Sequence, residues 1–140
     1  MKINGTGKLF IDKVSDEAST ILVIDDQKYI LDYIVLLLQA KHFNIIATTK
    51  ISEALQCMDK YEIDLILADI NLGKQMDGIS FMQNVRRDNK YPKIPIIAIT
   101  ASFRSDDYGD LLLAGFSDFL AKPFKYDALK AKLDLALQSF

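Results

Sequence analysis

Residues 20–26 read TILVIDD: five apolar or β-branched residues that stop at Asp25 and Asp26. A run this short, continuously apolar and rich in Ile, Leu and Val has the pattern of a strand buried on both faces of a parallel sheet; a half-solvated strand would alternate. Three further runs share the pattern: LILA ends at Asp69, PIIAI at Thr100 and DFLA at Lys122. Parallel α/β sheets bind ligands outside the carboxyl ends of their strands. The acids, the hydroxyl and the ammonium are therefore expected at that edge.

Between these runs the apolar period becomes helical. Ile30, Ile34, Leu37, Leu38 and Lys41 fall on one stripe, thickened by Leu31 and Leu36, which predicts a helix over 27–41. A further strand is expected over 45–48. A helix over 52–60 follows, with Ser52 as its N-cap and Ala54, Leu55 and Met58 facing inward. A loop over 71–77 leads to a helix over 78–87, and Pro92 and Pro95 bracket the entry to the next strand. A helix over 105–114 contains Gly109, which costs ~1 kcal/mol relative to alanine in a helix interior, so this is expected to be the softest helix. Gly115 stops it. Leu129, Leu133, Ala136, Leu137 and Phe140 mark a terminal amphipathic helix. Repeated β-α units imply a doubly wound α/β sandwich with right-handed crossovers.

The 140 residues, half of them apolar, suit one domain. Residues 1–19 carry Gly5, Gly7 and mixed charges without a clear period, and read as a loosely ordered extension whose Leu9, Phe10 and Ile11 form an apolar patch. The glycine pair lacks the strand and the Lys-Ser/Thr ending of a phosphate-cradling loop. Seventeen Lys plus Arg against nineteen Asp plus Glu give a net charge of -2, with no basic stripe for nucleic acid. No run approaches the ~18 apolar residues of a membrane span. The single Cys57 excludes an internal disulfide framework. A reducing cytoplasm is the expected location. His42 reads as a surface or capping histidine and Cys57 as a small packing residue.

Three carboxylates converging at neighbouring strand ends repel one another and demand a cation. Oxygen-only ligands point to magnesium, which takes one or two carboxylates and completes its shell with water and phosphoryl oxygens. A carboxylate beside magnesium, a hydroxyl at Thr100 and a flexible cation at Lys122 are the parts needed to take up a phosphoryl group. Taken singly, each residue has a plainer reading. Asp25 and Asp26 would serve as a helix N-cap and a first-turn acid, Lys122 as a solvated turn lysine, and Thr100 as a strand-end hydroxyl. The ordered set on successive strand ends decides between them.

That set resembles the receiver domain of two-component response regulators, over about residues 20–140. The resemblance rests on Asp25-Asp26, the DINL segment beginning at Asp69, Asp77-Gly78, Thr100-Ala101 and Lys122-Pro123-Phe124. It implies a CheY-like, flavodoxin-like fold: a five-stranded parallel sheet of order 2-1-3-4-5 with five helices. It further implies that Asp69 accepts a phosphoryl group from a histidine kinase or histidine phosphotransfer protein. Asp25, Asp26, Asp69 and the backbone carbonyl of Asn71 would hold Mg2+, with Mn2+ as a substitute. Thr100 and Lys122 would bind phosphoryl oxygens, Ala101 would leave the site accessible, and Phe119 would be the switch aromatic. The Lys122-Pro123 peptide becomes a candidate cis bond.

The same resemblance implies a face of the last two helices and the last strand, with Phe103, Tyr108 and Tyr126, that changes on phosphorylation and binds a downstream protein or a second copy. The domain would be a signalling module and not an enzyme acting on other molecules. With the chain ending at its last helix, output is expected through noncovalent contact, onward phosphotransfer or a further domain. One departure stands out: Gly73 lies where family members commonly have proline, in a loop one residue longer than the commonest form, which is expected to make the loop more mobile; Asn71 and Ser102 would flank the site and contribute to kinase docking and phosphoryl lifetime. A never-phosphorylated scaffold would usually have lost an acid or the lysine. A magnesium phosphatase would carry an acid where Asn71 stands, and a flavin carrier would have a hydroxyl- and glycine-rich loop after the first strand.

Overall fold

A computed structural model describes residues 2–4, 9–70, 78–101 and 107–138. Expectations placed on Gly5, Gly7, Asn71, Gly73, Asp77, Ser102, Phe103, Ser105 and Phe140 lie outside the described residues, as does the side chain of Tyr108. The elements in chain order are β1 (Lys2–Asn4), β2 (Leu9–Asp12), β3 (Thr20–Ile24), α1 (Lys28–Gln39), β4 (Asn44–Thr48), α2 (Ile51–Lys60), β5 (Leu65–Asp69), α3 (Gly78–Arg87), β6 (Ile96–Thr100), α4 (Asp107–Ala114), β7 (Asp118–Ala121) and α5 (Tyr126–Leu137). The chain divides into two compact units, 1–66 and 67–140, with β5 passing from one into the other.

In the first unit the strand order is β1-β2-β4-β3-β5. β3 and β4 are parallel, with Ile21 opposite Ile45 and Val23 opposite Ala47. The entry of β5 is tied to β3 by Asp64, whose N–H donates to the Thr20 carbonyl at 2.9 Å and whose carboxylate accepts the Thr20 N–H at 2.7 Å. In the second unit the order is β5-β6-β7, and β6 and β7 are parallel. Leaving β1 and β2 aside, the strands follow the expected 2-1-3-4-5 order. Of the four apolar runs, β3, β5 and β6 are buried almost throughout, as is β4; β7, expected to be buried on both faces, buries only Leu120 and is otherwise partly exposed, because it is the last strand of the sheet.

The described residues before Thr20 include strands where a loose extension is expected. Leu9–Asp12 is a strand antiparallel to β4, and Lys2–Asn4 pairs antiparallel with it. β4 is therefore hydrogen-bonded along both edges and is buried at every residue. The link from β2 to β3 is held by Asn44. Its amide oxygen accepts the N–H groups of Val14 and Ser15 at 2.7 and 3.1 Å. Its amide nitrogen donates to the carbonyls of Ser15 and Ala18 at 2.7 and 3.0 Å. A buried side-chain amide needs such partners, and here unpaired backbone supplies them.

The helices shift slightly from their predicted faces. α1 buries Leu31, Ile34, Val35 and Leu38, while Leu36, expected inward, is exposed. His42 is exposed and left-handed, with φ 61°, just beyond α1, as suits a residue at a helix end. α2 begins one residue before Ser52 and is capped by Lys50 without a side-chain bond. The turn into it is made instead by Thr48, whose hydroxyl accepts the Lys50 N–H at 3.1 Å and donates to Glu53 at 2.7 Å. Cys57 packs inside with Ala54 and Met58, and burial pushes its thiol pKa up, so it is a poor nucleophile.

In the second unit, Phe81, Met82 and Val85 of α3 and Leu129 and Leu133 of α5 enter the core. Gly115 closes α4 with φ 127°. Its carbonyl accepts two bonds from Arg86, from Nε at 3.1 Å and Nη2 at 2.9 Å. The other guanidinium nitrogen, Nη1, donates to the carbonyl of Ile94. Arg86 thereby ties the end of α3 to the turns before β6 and β7.

Gly109 sits in α4 with nothing within 4 Å of an added Cβ. Removing glycine's backbone freedom there should stabilise by ~0.5–1 kcal/mol. Gly109→Ala is expected to raise Tm by about 2–5 °C in a thermal melt; an unchanged or lower Tm would contradict a strain-free helical site. Among the described residues no helix is long and apolar enough to cross a membrane.

Candidate functional site

In the first unit, β3 delivers Asp25 and Asp26. The Asp25 N–H donates to the Thr48 carbonyl at 3.3 Å, which continues the β3–β4 ladder one residue past the strand and fixes the backbone there. Asp25 is fully buried; its Oδ1 accepts the Gln27 N–H at 2.9 Å. The cap of α1 is Gln27, with no side-chain cap bond and no acid in the first turn. Asp25 thus closes a turn at the entry to α1 without being its cap, and neither acid lies in the first turn of the helix. Asp26 is exposed.

In the second unit, β5 ends on Asp69, β6 on Thr100, and β7 is followed by Lys122. Asp69 and Thr100 are each 5% exposed. Ile70 continues from β5 by donating its N–H to the Ile99 carbonyl at 3.0 Å, and the Lys122 N–H donates to the Thr100 carbonyl at 2.7 Å. These backbone bonds place the three polar residues on adjacent strand ends. Lys122 Nζ stands 3.3 Å from Asp69 Oδ2, and both side chains are largely buried. Ala101, beside Thr100, is exposed, and the Lys122-Pro123 bond is cis, as expected of that peptide.

Gly78 follows Asp69 closely in space. Its N–H donates to the Ile70 carbonyl at 2.7 Å, and an added Cβ would lie 2.3 Å from the Asp69 carbonyl oxygen. α3 starts against the backbone that carries Asp69, which only a residue without a side chain allows. Phe119 lies on β7, partly exposed. The Lys132 ammonium stands 5.0 Å from the centre of its ring and 2.9 Å from Asp118 Oδ1. The sequence reading used Gly78 only as a loop marker and did not single out Lys132 beyond its polar helix face. An ammonium thirteen residues downstream leaves no local signal.

These observations define a doubly wound α/β protein that carries a buried carboxylate, a hydroxyl and an ammonium at the ends of consecutive strands. Residues 21–134 match the response regulator receiver domain family, and the chain belongs to it. Receiver domains are signalling domains. The chain is 27% identical to the heme response regulator HssR of Staphylococcus saprophyticus, over 87% of this chain and 53% of the relative. It is 32% identical to the regulatory protein VanR of Enterococcus faecium, over 86% of this chain and 50% of the relative. It thus spans about half the length of these curated relatives.

Among solved structures, the chemotaxis protein CheY4 of Vibrio cholerae superposes with a TM-score of 0.79 at 25% identity, covering 85% of this chain and 98% of that one. The receiver domain of a sensor histidine kinase of Pseudomonas aeruginosa gives 0.78 at 29% identity, covering 87% and 99%. That domain is described with a magnesium ion coordinated in its active-site cleft.

Proposed function

We propose that this domain is a phosphoacceptor switch in which Asp69 takes a phosphoryl group from a histidine kinase or histidine phosphotransfer protein. The observation that carries the reading is the largely buried Asp69 carboxylate with the Lys122 ammonium 3.3 Å away. A surface ion pair would be commonplace, but one at the end of a central strand is placed for chemistry. An Asp69 oxygen attacks phosphorus, the phosphorus–nitrogen bond of the phosphohistidine breaks, and the imidazole nitrogen keeps the electron pair. Lys122 and the Thr100 hydroxyl then donate to phosphoryl oxygens, where positioning and charge neutralisation matter most.

Asp25, Asp26 and Asp69 would together hold a metal ion, and their all-oxygen donor set fits Mg2+, with Mn2+ as a substitute. The backbone carbonyl of Asn71 would complete the protein's share. When bound, the ion neutralises charge on the carboxylates and the incoming phosphoryl oxygens. Drawing Thr100 toward the phosphoryl group frees space for Phe119 to turn inward, and the face of α4, β7 and α5 changes for a downstream protein or a second copy. Tyr126 contributes to that face. We place the domain in the cytoplasm, where such kinases present their phosphohistidine, without direct contact to nucleic acid or membrane.

The test is intact mass after incubation with Mg2+ and acetyl phosphate. A labile single-phosphoryl gain is expected in the wild type and none in Asp69→Asn. Absence of any gain in folded, metal-loaded wild type would overturn the reading in favour of a scaffold that is never phosphorylated.

A further inference from the structure

Phe119 stands in a closed circuit of contacts made by its own neighbour and by α5. The Asp118 Oδ1 accepts the Phe119 N–H at 2.8 Å and the Lys132 ammonium at 2.9 Å. The same ammonium lies 5.0 Å from the centre of the Phe119 ring. The Asp118 side chain is mostly buried and that of Lys132 about one-third exposed, so the pair is partly shielded from solvent. One carboxylate thus anchors both the backbone of the aromatic and the cation that faces its ring. The negative face of an aromatic ring attracts a cation within about 6 Å.

We infer that Lys132 is a positioning residue that holds Phe119 in its half-exposed conformation and so sets the resting balance of the switch. The inference rests on the proposed switch role of Phe119. Turning the ring inward separates it from Lys132, whose ammonium stays behind with Asp118. The cation–π contact is made in only one of the two states, and only such differential contacts move an equilibrium. Removing the contact raises the share of the inward conformer before any phosphorylation. Because phosphorylation and the inward ring favour each other, the same shift makes labelling faster.

Two readouts on the folded 140-residue chain separate this inference from the function it rests on. The first is the nuclear Overhauser contact between the Phe119 ring and the Thr100 methyl group, measured with ring-labelled phenylalanine and assigned through Phe119→Leu. In Lys132→Met, which keeps most of the stem and removes the charge, the contact is expected to strengthen about two- to fivefold, the Boltzmann factor of an exposed cation–π contact. Lys132→Arg, which keeps a cation over the ring and a donor for Asp118, should return it to the wild-type value. An unchanged contact in Lys132→Met overturns the inference, as does a change that Lys132→Arg fails to reverse.

The second readout is the rate of labelling by acetyl phosphate with Mg2+, expected to rise by a similar factor in Lys132→Met. Failure of wild type to label at all would count against the phosphoacceptor reading, while the ring contact would still decide the role of Lys132.

Discussion

Lys122→Ala is expected to slow phosphoryl uptake from acetyl phosphate by about two to three orders of magnitude, the usual loss on removing one fixed donor from a developing oxyanion. The ammonium is held by its placement after β7, where the Lys122 N–H bonds the Thr100 carbonyl, and its Nζ already stands 3.3 Å from Asp69. Little reorganisation is needed for it to meet an oxygen of a phosphoryl group arriving on Asp69. Preorganised charge of this kind acts most strongly where water is excluded, and the Lys122 side chain is 11% exposed.

Two effects of the substitution pull in different directions. Deleting one partner of a buried pair leaves the other charge without part of its compensation and destabilises the fold. Magnesium on the same carboxylate, bound as proposed above, would offset some of that loss. The measurement is therefore the initial labelling rate at saturating Mg2+, with circular dichroism to establish that the variant is folded. Lys122→Arg should recover only part of the rate, because a planar guanidinium cannot occupy the space of a compact ammonium. A Lys122→Ala rate within about threefold of wild type would show that charge delivery by this residue is not what drives transfer.

The strand ends were legible in the sequence because each parallel strand carries a short apolar run, unbroken on the central β3, β5 and β6 and shorter on the terminal β7, so the first polar residue after the run marks the edge. Asp25, Asp69, Thr100 and Lys122 were found that way, although Lys122 and Asp69 are 53 residues apart. β2 was not found. Leu9, Phe10 and Ile11 make a run of the same kind, ending at Asp12, but one too short to stand out, and what holds it is backbone pairing with β4, which imposes no side-chain period.

Asn44 and Arg86 were missed for a related reason. Their partners are mostly main-chain groups, 26 to 30 residues away for Asn44 and up to 29 away for Arg86, and main-chain partners leave no trace in residue identity. The cap of α2 misled differently. Ser52 has the right chemistry for a cap, yet Thr48 makes the turn from within the preceding strand and lets the helix begin one residue earlier.

Gly78→Ala is expected to cost about 3 kcal/mol, the upper end of the usual range for overpacking with backbone displacement, and to lower Tm by roughly 5–15 °C. The clash is unusual in kind. An alanine Cβ would lie 2.3 Å from the Asp69 carbonyl oxygen and 2.8 Å from the Ile70 Cα, all backbone atoms, so no side-chain rotation can relieve it. Either α3 moves away and the Gly78 to Ile70 bond of 2.7 Å is lost, or the end of β5 moves. The second route displaces Asp69 relative to Lys122, and transfer is sensitive to such shifts: misplacement by 1 Å can cost about a hundredfold in rate. The variant should therefore lose labelling by more than its unfolded fraction explains. Denaturant unfolding together with labelling below the melting range separates the two losses. A stable variant with wild-type labelling would mean that this close approach neither supports the fold nor aims the carboxylate.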